Sequence, residues 1–193
     1  AVVKAIGEAG GVPRQVKPVT LVALLMLLEQ GRIALDDDVT KFIPGFANLR
    51  LADGSAPRRA MTVLDLARHT AGFTYGFHNR TPVDAQYRKQ RIGEFDTEGG
   101  LAAFIASLEK LPLEYSPGEA WIYSVATDVL GYLVQVVSGQ SYADFVREHV
   151  LVPLKMSDTD FLVPEDKRDR FTACYALKDG KLDLFDDAQA SPW

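Results

Sequence analysis

Between Pro18 and Glu29 the chain runs through Val19-Thr20-Leu21-Val22-Ala23-Leu24-Leu25-Met26-Leu27-Leu28 without a charge. Its purely apolar part, residues 21–28, is too short to cross a bilayer, so the stretch must be buried in a protein core. Proline is tolerated in a first helical turn, and Gly31 suits the residue after a last one, so the run reads as a helix. It is apolar on every face, which predicts a helix buried on all sides. Such a helix needs many neighbours. The chain has 193 residues, 47% of them hydrophobic, enough to bury about 70% of its unfolded surface.

Charge narrows the partners. Lysine and arginine total 21 and aspartate and glutamate 26, a net charge of −5. A mildly acidic chain has no general attraction to nucleic acid or anionic lipid, and no stretch is long enough for a membrane span. Cys174 is the single cysteine, so no internal disulfide can form. With no signal-peptide pattern in residues 1–11, that favours a cytoplasmic location.

Local signals divide the rest. Residues 1–16 are broken by Gly7, Gly10, Gly11 and Pro13 and have no clear pattern. Asp36, Asp37 and Asp38 read as a cap ahead of residues 39–43, in preference to a metal site. Thr62-Val63-Leu64-Asp65 fits a capping box opening a short helix to about His69. Residues 75–96 are polar and read as a long loop. Leu101, Phe104, Ile105 and Leu108 predict an amphipathic helix over 98–110. Ala126, Val129, Leu130, Leu133, Val134 and Val137 predict another, stopped by Gly139. Ser141 and Asp144 cap a third, to about Val150. Asp179-Gly180 between apolar runs predicts a hairpin.

Common catalytic signatures are absent. There is no GxSxG, P-loop, GxGxxG, HExxH or paired CxxC, and His69, His78 and His149 are far apart. No cofactor or metal is implied. Arg88-Lys89-Gln90-Arg91 reads as a solvated loop. Ser107-Leu108-Glu109-Lys110 spells SxxK, but it reads as a helix end with no buried segment after it.

Six blocks, in order, resemble the serine hydrolases of the class C β-lactamase, D-alanyl-D-alanine peptidase and family VIII esterase group. They begin with Lys17-Pro18-Val19-Thr20 and its helix to Glu29-Gln30-Gly31-Arg32, then Leu35-Asp36-Asp37-Asp38-Val39. Next come Thr62-Val63-Leu64-Asp65-Leu66-Ala67-Arg68-His69-Thr70-Ala71-Gly72-Phe73 and Tyr115-Ser116-Pro117-Gly118. Trp121-Ile122-Tyr123-Ser124 with Asp128-Val129-Leu130-Gly131 follows, and then Pro153-Leu154-Lys155-Met156-Ser157-Asp158-Thr159. The resemblance implies an α/β (α+β) fold of the β-lactamase/transpeptidase type, here mostly its helical region with a partial antiparallel sheet. It implies one incomplete domain: 1–16 unmatched, 17–170 helical, and 171–193 the start of the C-terminal sheet region.

In that family an SxxK serine is the nucleophile, the motif lysine takes or holds its proton, and a YxN-like tyrosine serves the nucleophile and leaving group. Carried over, Lys17 matches the lysine and Tyr123 the tyrosine, and the two are expected at one cavity. Tyr123-Ser124-Val125 has valine where lactamases and peptidases have asparagine, which is more esterase-like. His69 is expected to hold the turn at Gly72. Arg14 stands three residues before Lys17, where the motif serine belongs, and Trp193 precedes the family's third motif. The resemblance thus implies a small-molecule ester or lactam hydrolase, inactive as it stands and prone to self-association. The alternative is a non-catalytic pseudoenzyme or a truncated partner-binding helical domain.

Overall fold

A computed structural model describes residues 17–93 and 99–189. The apolar run forms helix α1 (Lys17–Glu29), ending before Gly31 at φ +67°. It buries a single stripe: Thr20, Ala23, Leu24 and Leu27. Leu21, Val22 and Leu25 are exposed. The expectation of burial on all sides is therefore corrected. α1 lies at the margin of the helical body, and its neighbours, the helices numbered α5 and α6 below, engage one stripe.

Several short elements follow. Asp38 caps a 3-10 turn, Val39–Lys41, its carboxylate accepting from the Thr40 amide at 2.8 Å. Helix α2 (Val63–Ala67) has the expected capping box between Thr62 and Asp65. Residues 75–93 differ from the expected loop, whose last part, 94–96, lies outside the described residues. A 3-10 turn, Gly76–His78, precedes helix α3 (Pro82–Lys89). Thr81 and Asp84 form a second capping box, with Pro82 in the first turn. The Asp84 carboxylate is fully buried and binds Arg88 one helical turn on.

Helix α4 (Gly100–Leu108) starts just after the described gap, so the expected start at Glu98 lies outside the described residues. Helix α5 (Ala126–Ser138) ends at Gly139, φ +77°. Helix α6 (Tyr142–Val146) is capped by Ser141 and widens into a π-helical turn, Arg147–Leu151. Strands β1 (Cys174–Lys178) and β2 (Lys181–Asp186) form the antiparallel hairpin around Asp179-Gly180.

Helix α5 is the hub. It packs against α1, α2, α4 and α6. Its buried Val129, Leu130, Leu133 and Val134 meet a core that includes Leu24 and Leu27 of α1, Phe104 and Leu108 of α4, and Phe145 of α6. One polar pair joins α1 to α6 inside this core: the Thr20 and Tyr142 hydroxyls are 2.6 Å apart. Burial pushes the Tyr142 phenol well above its usual ionisation range; the Thr20 hydrogen bond opposes this and the Asp128 charge adds to it more weakly.

Candidate active site

Two irregular segments meet at the N-terminal end of α1. Backbone hydrogen bonds lace residues 69–74 to residues 114–125: Glu114 donates to the Gly72 carbonyl, Gly118 to Thr70, Ile122 to His69 and Val125 to Thr74, at 2.8, 2.8, 2.9 and 3.4 Å. Gly72 has φ +90°, and a Cβ there would lie 2.2 Å from the Tyr115 carbonyl oxygen. Only glycine fits both the backbone angle and the close approach.

A buried carboxylate anchors this lacing. Asp65 takes two hydrogen bonds from Arg59, at 2.6 and 2.7 Å, and others from the Thr62 amide and the Thr62 and Thr70 hydroxyls. Burial acts to raise its pKa, but these donors outweigh it and hold the carboxyl at about 2.

The laced segments present Tyr123 to Lys17. The Lys17 ammonium sits 3.6 Å from the centre of the Tyr123 ring and 5.7 Å from that of Tyr75. It is sealed from solvent and has no hydrogen-bond partner among the described residues. A cation held over ring faces out of water gains about 2 kcal/mol. The two residues expected at one cavity are thus neighbours. Ser124 and Val125 are buried, and Val125 faces the core.

Histidines fix Tyr123 from both sides. His78 donates from Nε2 to the Tyr123 carbonyl at 2.6 Å. The Ser124 amide donates to His69 Nδ1 at 3.3 Å, so Nδ1 accepts and the ring proton is on Nε2. The His69 ring lies 5.3 Å from the Tyr123 ring. Burial first, and the Lys17 charge second, lower its pKa to about 4. His69, expected to hold a turn, also has φ +57° and supports the tyrosine directly. Sequence reading missed Tyr75 and His78. Tyr75 packs 5.2 Å from the Tyr123 ring and donates to Asp128 of α5 at 3.4 Å. The available signal was the Thr81-Pro82-Val83-Asp84 box, which fixes the end of the preceding turn.

The contact runs through the ring face: the Lys17 ammonium is held by the π cloud of Tyr123 and makes no hydrogen bond to a described residue. Among the described residues no group of three histidine, cysteine, aspartate or glutamate side chains is placed to hold a metal. Ser107 closes α4 and Lys110 lies beyond its end, Leu108.

The Beta-lactamase family model matches residues 15–192, and the chain belongs to that family. It is 36% identical over 158 residues to the esterase EstB of Burkholderia gladioli, covering 79% of this chain and 38% of EstB. It is 27% identical over 165 residues to a lovastatin esterase of Penicillium rubens, covering 80% of this chain and 40% of that protein. The fold overlays EstCE1, described as a hydrolase with promiscuous acyltransferase activity, with TM-score 0.70 and 23% identity over 96% of this chain and 47% of EstCE1. The chain spans about two fifths of the curated relatives it matches.

Proposed function

We propose that this chain carries the lysine–tyrosine half of an ester-cleaving acyl-enzyme site. Lys17 is the proton holder for a nucleophile three residues upstream, and Tyr123 passes a proton to the departing oxygen. The observation that carries this is the sealed Lys17 ammonium packed on the Tyr123 ring. With Arg14 in the nucleophile's place, the chain as it stands does not turn over. Neutral esters are the preferred substrates, because Val125 replaces an amide side chain that would serve a lactam carbonyl.

Fluorophosphonate labelling read by mass spectrometry tests this. The parent chain gains no adduct. Arg14→Ser gains one on the introduced serine, and adding Lys17→Met to it removes the adduct again. An adduct on any serine of the parent overturns the inactivity. Labelling of the introduced serine that is indifferent to both Lys17→Met and Tyr123→Phe overturns the assigned roles.

Self-association belongs to the same proposal. Tyr175 pairs with Leu184 and Leu177 with Leu182, so the four side chains share one face of the hairpin, each more than half exposed.

A further inference from the structure

The rings around Tyr123 continue outward to two exposed aromatics. On one side Phe77 stacks on Tyr75 at 4.8 Å with planes 19° apart, and lies 6.5 Å from Tyr123. On the other, His69 bridges Tyr123 to Trp121, which meets it edge-on at 6.2 Å. Along residues 121–123 Ile122 points inward and is buried, while Trp121 is 66% exposed; Phe77 is 52% exposed. A run of rings from Phe77 through Tyr75, Tyr123 and His69 to Trp121 is thus sheltered in its middle and exposed at its ends. Exposed aromatic rings packed against Tyr123 offer stacking surface to a flat ligand.

We propose that Phe77 and Trp121 are the walls of a subsite for the alcohol portion of a neutral ester bearing a flat aromatic group. This rests on the role assigned to Tyr123. When the acyl carbon bonds to the hydroxyl oxygen of a nucleophile and its bond to the alcohol oxygen breaks, the nucleophile's proton reaches the departing oxygen by way of the Tyr123 hydroxyl, so the departing alcohol lies against the rings beside Tyr123. Stacking surface is what those rings supply. The joining ring, His69, is neutral above about pH 4 and gives a carboxylate nothing to pair with.

Equilibrium dialysis against 2-naphthol, read by its own fluorescence, tests the walls without needing a nucleophile. The expected result is saturable binding by the parent chain, weakened roughly five- to tenfold in Phe77→Ala and in Trp121→Ala. Trp121→Phe keeps most of the affinity, 2-naphthoate binds at least about tenfold more weakly, and Leu177→Ser on the hairpin changes nothing. Circular dichroism confirms that each variant is folded. No saturable binding, binding indifferent to both wall substitutions, equal affinity for 2-naphthoate, or loss in Leu177→Ser overturns the proposal. If naphthol binding follows the walls while labelling of the Arg14→Ser variant ignores Lys17 and Tyr123, the catalytic reading fails, and the walls stand as an aromatic-binding surface without the assignment to the departing alcohol. The reverse pattern sinks the subsite alone.

Discussion

At the scale of single residues, His69 ties the site to pH. Its folded pKa of about 4 lies below the ordinary 6.5, so the native state favours the neutral ring. As pH falls from about 6.5 to 4, the unfolded chain binds a proton that the folded chain refuses, and stability drops. Asp65, held at about 2 against an ordinary 3.8, adds a separate loss below about pH 4. Thermal melts at pH 7, 5 and 3 should therefore fall in two stages. His69→Asn keeps an acceptor for the Ser124 amide and tolerates a positive φ, so it should flatten the first stage alone; an unchanged slope there disproves the assignment. Gly72 is the other sensitive position. Gly72→Ala meets both an unfavourable φ and the Tyr115 carbonyl, and should cost more than about 1 kcal/mol in a urea titration. An unchanged midpoint would show that the turn relaxes freely.

Elements differ in how plainly the sequence announces them. Helices α4, α5 and α6 and the hairpin follow from apolar spacing and from Gly139, Ser141 and Asp179-Gly180. Helix α3 does not, because Pro82–Lys89 holds two aliphatic side chains among polar ones, and its order comes from the Thr81–Asp84 cap and the ion pair of the buried Asp84 carboxylate with Arg88. Full burial of α1 does not follow from its composition, which reports which faces can be buried, while packing decides which are. Lys17 and Tyr123 are legible through a family pattern; Tyr75 and His78 are not, since their contacts to Tyr123 cross about 45 residues of chain. Two substitutions probe the elements. Thr62→Ala should remove about 1 kcal/mol by breaking the α2 cap, measured by chemical denaturation. Leu133→Ala, at the fully buried centre of α5, should remove about 2–5 kcal/mol. If the cap substitution costs as much as the core one, the ranking of the two contributions is wrong.

For the molecule as a whole, the hairpin and the helical body contrast. The hairpin's apolar face is exposed, and sedimentation velocity should show concentration-dependent association that Leu177→Lys with Leu182→Lys suppresses. Association that survives the double substitution would place the contact elsewhere, with the exposed face of α1 the next apolar surface available. The position of α5 has its own consequence. Four helices lean on it, so the backbone amides of its buried stretch, 129–134, reach solvent only when the body opens altogether. In deuterated water those amides should exchange last and all with one free energy, that of global unfolding, while the hairpin amides exchange through local fraying at a rate set by two strands alone.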